Sequence, residues 1–145
     1  MSSAAAVLVC VLSVLGRSAS SMPQIRFVEV VPPVVSANAE AFAQHDQDTI
    51  YLITSSAIFR DAVSELPGCR GTEPFRKIAS ILVHEEWHLR RGSDERGAYQ
   101  AQLATLWSLG LGPETRVSYS VVKSMLKVLS EEERSRKPVL LVAKK

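Results

Sequence analysis

Hydrophobic residues recur every three to four positions through most of the chain after residue 57, whereas residues 24–54 hold short β-branched runs separated by polar or proline-containing segments. The first pattern is typical of helices with one apolar stripe. It predicts helices over residues 58–66, 75–91, 94–109 and 114–129. Each of the first three is followed directly by proline or glycine, which interrupt helices.

The β-branched runs predict three strands, near residues 24–31, 39–44 and 49–54. The second and third flank the polar segment 45–48, so they form a β-hairpin. A group of strands followed by a group of helices indicates an α+β domain with a small antiparallel sheet packed on the helices. At 145 residues, 46% of them apolar, the chain is long enough for one domain with its own core.

The first twenty residues contain an apolar run from Ala4 to Gly16, followed by small residues suited to a signal-peptidase site. The run is too short to span a membrane. We therefore expect residues 1–20 to be a cleaved export signal, residues 21–145 to be the mature domain, and the protein to be secreted or periplasmic. Removal of Cys10 with the signal would leave Cys69 as the single cysteine, so we expect no intramolecular disulfide. We also expect the substitution Cys69→Ser to leave zinc content and activity unchanged.

Charge does not point to nucleic acid as a partner. The net charge of +2 arises from 17 basic and 15 acidic residues that are mixed along the chain, without a basic run interleaved with aromatic residues.

The sequence His84-Glu85-Glu86-Trp87-His88 lies late in the predicted helix 75–91. Two histidines four residues apart lie on one face of a helix, so both imidazoles can bind one metal ion. Glu85 is one step away from His84 and can reach a water molecule on that metal. This spacing is the HExxH arrangement of zinc-dependent hydrolases.

Catalytic zinc takes three protein ligands, so a third is required beside the two histidines. Asp94 and Glu95 are the nearest acids, and Ser93 is the predicted N-cap of their helix. Glu95 lies on the same apolar stripe as Tyr99 and faces inward, whereas Asp94 lies on another face and complements the helix dipole. We expect Glu95 to be the ligand, because a buried carboxylate needs a positive partner, with Asp94 as the alternative.

With these residues together, the chain resembles the gluzincins, the HExxH zinc peptidases whose third ligand is a glutamate on a following helix. The resemblance covers about residues 49–109 and is greatest to small bacterial domains of this type. The gap between His88 and Glu95 is shorter than in larger gluzincins. The resemblance implies a minimal zincin-like domain whose sheet edge binds a peptide or protein substrate in extended form.

The expected chemistry is peptide-bond hydrolysis with Glu85 as the general base. Tyr99 is a candidate donor to the oxyanion, although packing of its ring in the interior is the favoured interpretation. Two other interpretations stay open: a zinc-binding module of this fold without peptidase activity, and a metal-free helical interaction domain.

Overall fold

The computed structural model describes residues 1–36, 38–69 and 72–143 and has an α+β architecture, as predicted. Within those residues, five helices and three strands follow one another along the chain. They are α1 (Ser3–Leu15), β1 (Gln24–Val28), β2 (Ala41–Gln44), β3 (Thr49–Ile53), α2 (Ala57–Ser64), α3 (Glu73–Arg91), α4 (Glu95–Ser108) and α5 (Arg116–Ala143).

The sheet is mixed, not antiparallel as predicted. Its order is β1-β3-β2, with β2 antiparallel to β3 and β1 parallel to β3. The β2–β3 hairpin was expected from the polar segment between the two strands. The parallel pair arises because residues 29–40, which contain Pro32 and Pro33, carry the chain across to the far edge of the sheet before β2 begins. The connection from β1 to its parallel neighbour β3 runs from residue 29 to residue 48 and includes β2, and parallel strands need a connection of about a dozen residues or more.

Helix α1 belongs to the core. Ser2 accepts a hydrogen bond from the Ala5 amide at its start, and Gly16 ends it with a positive φ of 67°. Val7 and Val11 are fully buried in the core cluster that also contains Phe75, Ile78 and Leu82 of α3. An apolar run of this length suits a core helix as well as a signal segment. Cleavage after residue 20 stays a prediction, and it would remove this helix from the core.

A disulfide joins Cys10 of α1 to Cys69 in the loop before α3, so the prediction that no intramolecular disulfide forms is wrong. That prediction depended on loss of Cys10 with the signal. Cys10 is buried, whereas Cys69 is exposed on the surface. The bond encloses the sheet and α2, because 59 positions separate the two cysteines.

We expect Cys69→Ser to lower the free energy of unfolding by about 4 kcal/mol, because the disulfide restricts a long loop in the unfolded chain. The expectation from sequence that this substitution leaves zinc content and activity unchanged stays a prediction. Denaturant unfolding of variant and parent would measure the difference. The parent in reducing buffer is the control and should match the variant. Equal stability of oxidised parent and variant would contradict the prediction.

Helix α3 lies at the centre of the domain and contacts α1, α2, α4 and the sheet. Phe75, Ile78 and Leu82 recur on one face and are at most 1% exposed. Pro74 lies in the first turn, where its missing amide costs nothing, and Gly92 ends the helix with a φ of 101°. This packing holds the last two turns of α3 in a fixed position, and the candidate ligands lie there.

A second cluster of buried residues joins α4 to α5, with Leu103 and Leu106 packed against Val117 and Val121. Helix α5 continues past residue 129, where sequence placed its end, to Ala143. In the described part of the chain, no helix is both long enough and apolar enough to cross a membrane.

Candidate metal centre

His84, His88 and Glu95 converge on one point between α3 and α4. Glu95 Oε1 lies 3.2 Å from His84 Nε2 and 2.6 Å from His88 Nε2. One potential ligand atom from each residue lies within 4.8 Å of the others, and the three could hold a metal ion. The structure thus brings together the three ligands predicted from sequence.

The turn between α3 and α4 explains the convergence. Four residues, one helical turn, separate His84 and His88, so their rings lie on one face of α3. Asp94 is the N-cap of α4 and accepts a hydrogen bond from the Arg96 amide, so the prediction of Ser93 as the cap is wrong by one position. The cap uses the Asp94 carboxylate, and α4 therefore begins with Glu95 directed at the histidines.

Hydrogen bonds behind the two imidazoles orient their metal-binding nitrogens. His88 Nδ1 lies 2.7 Å from the Gly92 carbonyl oxygen, which can only accept. Nδ1 therefore carries a proton and donates it. In the neutral ring this leaves the Nε2 lone pair facing Glu95.

His84 is oriented by a buried chain of polar groups. Its Nδ1 lies 2.8 Å from Gln102 Oε1, and Gln102 Nε2 donates to Ser80 Oγ at 3.3 Å. The Ser80 hydroxyl donates to the Lys77 carbonyl at 2.6 Å, so its oxygen must accept from the Gln102 amide. This directionality turns the Gln102 carbonyl toward His84 and leaves Nε2 of the ring facing Glu95. Gln102 lies three positions after Tyr99 on the same face of α4, but its role was not predicted from sequence.

In the absence of metal, Glu95 and His88 stabilise each other's charged forms. Hydrogen bonds from His84 and His88 lower the pKa of Glu95 to about 2. Burial opposes the charged form of His88, but its hydrogen bonds to Glu95 and to the Gly92 carbonyl outweigh that effect and raise its pKa to about 9. A proton thus occupies the position that a cation would take.

Glu85 projects into the same cavity without a hydrogen-bond partner among the described residues. Burial raises the pKa of its carboxyl, the positive charges of His84 and His88 oppose that rise, and the charge of Glu95 adds to it. A carboxylate with a raised pKa and no partner can accept and release a proton.

Tyr99 lies one turn after Glu95 and packs edge-on against the His84 ring, with 4.5 Å between ring centroids. Burial, followed by the charges of Glu95 and Glu85, raises the pKa of its hydroxyl to about 12, so the group is a proton donor at neutral pH. The ring therefore packs, as one sequence interpretation held, and it also lines the cavity.

The cavity has a volume of about 470 Å³ and lies between α3, α4, α5 and the segment that leads into β2. We call it the site cavity. His84, Glu85, Glu95 and Tyr99 line one side of it. Two of the three candidate metal ligands, His84 and Glu95, therefore border this space.

The donor set suits zinc. Two imidazole nitrogens and one carboxylate oxygen are a common catalytic zinc set, and both imidazoles have the outer hydrogen bonds that such ligands require. The same donors also bind other first-row transition metals. The convergence of the three side chains therefore indicates a site for a metal ion of this class.

Zinc binding should depend on pH because His88 must lose its proton first. We expect zinc affinity to rise about tenfold per pH unit from about pH 7 to about pH 9, and then to level off. Calorimetric titration in buffers of different ionisation enthalpy should detect release of about one proton per zinc at neutral pH. Affinity that does not change over this range would contradict the prediction.

The metal-free protein should show a second pH dependence. The pKa of His88 is raised from 6.5 to about 9, so its stabilising effect is complete below pH 6.5 and is lost as pH rises through about 9. The pKa of Glu95 is lowered from 4.5 to about 2, so its effect is present above pH 4.5 and is lost as pH falls through about 2. The melting temperatures of the metal-free parent and the His88→Ala variant should therefore differ most between pH 4.5 and pH 6.5. A difference in melting temperature that does not change with pH would contradict this assignment.

Two further contacts near the site were not predicted from sequence. Arg17, just after α1, forms two hydrogen bonds with the Glu86 carboxylate at 2.7 and 2.8 Å. On α4, a Cβ atom at Gly97 would lie 2.2 Å from the Trp87 ring, so only glycine allows α4 to approach α3 this closely. Glu86 therefore faces away from the candidate metal site, and Trp87 packs against α4.

Comparisons with protein-family models, with curated proteins and with solved structures find no match for this chain. Function is therefore inferred from the geometry of the site and the chemistry of its residues.

Proposed function

We propose that the protein is a zinc-dependent peptidase of the gluzincin type, with His84, His88 and Glu95 as the metal ligands. The observation that carries the proposal is the free Glu85 carboxylate beside this three-donor group, at the wall of an open cavity. A purely structural zinc site has no need of such a base.

Bound zinc would polarise the scissile carbonyl and lower the pKa of water to about 7. Glu85 would accept the proton of the attacking water and deliver it to the leaving amine. Burial raises the pKa of this carboxyl above its usual value, which favours uptake of the proton from water. Tyr99, which stays protonated, would donate a hydrogen bond to the developing oxyanion.

An extended peptide or protein segment is the proposed substrate. Strand β2 is at one edge of the sheet, so among the described strands only β3 pairs with it. Ala41, the first residue of β2, lines the site cavity together with Ala39 and Glu40. A peptide that pairs with this edge would border the cavity that Glu85 also lines.

We also propose that the protein is exported. Its disulfide joins α1 to the rest of the core, and such bonds persist mainly in oxidising compartments.

The test is hydrolysis of a mixed library of unstructured peptides by purified protein, with cleavage products identified by mass spectrometry. We expect cleavage that a chelator abolishes and that one equivalent of zinc restores. Stoichiometric zinc without cleavage would favour the zinc-binding module, and absence of zinc would favour the metal-free interaction domain. Either result would refute the peptidase.

A further inference from the structure

One face of α5 carries a row of basic side chains. Arg116, Lys123 and Lys127 are separated by seven and four residues, which places them within about 40° of one another around the helix axis. The exposed ring of Tyr119 lies in the same row, with Lys123 Nζ 5.9 Å from its centroid. We call these four residues the α5 basic row.

The charges of the α5 basic row have no acidic partner. In the described part of the chain, no carboxylate forms an ion pair with Arg116, Lys123 or Lys127. By contrast, Arg17, Lys77 and Arg90 each pair with an acid. Cations held on one helix face without partners attract a mobile acidic ligand.

The α5 basic row lies beside the site cavity. A groove of about 680 Å³ runs along Arg116, Tyr119 and Lys123. Ser120, Ser124 and Lys127 line both this groove and the site cavity, so the two spaces share one wall. A chain bound near Glu85 can therefore continue along the row without leaving the surface.

The acids of the site cavity do not cancel this attraction. Glu40 pairs with Lys77 at 3.1 Å, and Glu85 and Glu95 face the metal position. Glu131 lines the cavity one turn beyond Lys127, at the end away from Arg116. None of the residues that line the groove is acidic, so its lining carries a net positive charge.

We propose that the α5 basic row binds acidic side chains of the substrate, so that the protein selects peptides with a cluster of Asp or Glu beside the bond placed at Glu85. This inference rests on the proposed function for the identity of the ligand as a peptide. From Arg116 to Lys127 the helix spans about 17 Å, which an extended peptide covers with about five residues. The selected cluster should therefore lie within about five positions.

The test measures binding, so that it does not depend on cleavage. Zinc-loaded Glu85→Gln protein is titrated into a fluorescent peptide with three Glu within five positions, and into the same peptide with Gln in their place. Anisotropy should give about three- to tenfold tighter binding of the Glu peptide, since each exposed ion pair contributes up to about a fivefold gain. The preference should weaken as salt concentration rises.

Charge reversal identifies the surface responsible. In the Glu85→Gln background, Lys123→Glu with Lys127→Glu should abolish or invert the preference, and the milder Lys123→Gln with Lys127→Gln should reduce it. Arg26→Glu with Arg60→Glu is the control, because both side chains are exposed, lie outside the cavity, and give the same change in net charge. Circular dichroism and zinc content would verify the fold of each variant.

The proposal would be overturned if the Lys123→Glu, Lys127→Glu protein and the control protein showed the same preference for the Glu peptide. Equal affinity of the Glu85→Gln protein for the Glu and Gln peptides would also overturn it. Tight binding of single-stranded RNA together with no binding of either peptide would also overturn it in favour of a nucleic-acid surface. Failure of the proposed function is a separate result: no peptide would be cleaved by the parent, yet the Glu preference would remain in the binding assay.

Discussion

Replacement of Glu85 by Gln is expected to lower peptide hydrolysis by about 10²- to 10⁴-fold, the range typical of general acid–base groups. The amide keeps the size of the side chain but cannot take the proton of the attacking water. Glu85 has no hydrogen-bond partner among the described residues, so the substitution breaks no contact in the fold. Initial rates on a cleaved peptide, with zinc content and melting temperature measured in parallel, would isolate the chemical step.

Glu86→Gln is the matched control, since it makes the same chemical change one residue further along α3. From sequence this substitution is expected to be nearly silent, and for activity that prediction stays. For stability the structure predicts a loss of about 1 kcal/mol, because the two charge-assisted hydrogen bonds to Arg17 are weakened. If the two variants lose activity equally, Glu85 is not the base.

Substitution of the two histidines is expected to have the largest effect on metal content. The parent should bind about one zinc per chain, and the double variant His84→Ala with His88→Ala should bind none, because a lone carboxylate cannot hold the ion. Elemental analysis after dialysis against dilute zinc would measure the stoichiometry. Full zinc content in the double variant would refute the site.

The neighbouring acids provide a matched pair for the third ligand. Glu95→Ala should weaken zinc binding, whereas Asp94→Ala should leave it unchanged and cost about 1 kcal/mol of stability through loss of the helix cap. The opposite result for the two acids would show that Asp94 is the third ligand.

Gln102→Leu should weaken zinc binding by about 10- to 100-fold, because the hydrogen bond that orients His84 is removed.

Much of the candidate site could be predicted because it is local. His84 and His88 share a helix, and the inward direction of Glu95 follows from the apolar stripe of the next one. Helical periodicity determines which side chains share a face, and a short turn leaves little freedom between two helices. The one-residue error at Ser93 did not matter, because the side-chain faces of α4 kept their register.

Features that depend on distant parts of the chain could not be predicted in this way. The pairing of β1 beside β3, the disulfide from Cys10 and the Arg17–Glu86 contact all join positions far apart in sequence. An apolar run of thirteen residues reads equally as a signal or as a core helix until its partners are known. Once α1 was assigned to a signal, each interaction that it makes was also lost from the prediction.

The short separation between the candidate ligands affects how the folded protein opens. Eleven residues separate His84 from Glu95, compared with 59 between the two disulfide cysteines. Local unfolding of the α3–α4 turn can therefore occur while the rest of the domain, which includes the disulfide, stays folded. In the metal-free state, amide hydrogens near Gly92 should exchange much faster than those of α1. Zinc would slow exchange in that turn alone, and the domain would thereby change its local mobility without changing its overall shape.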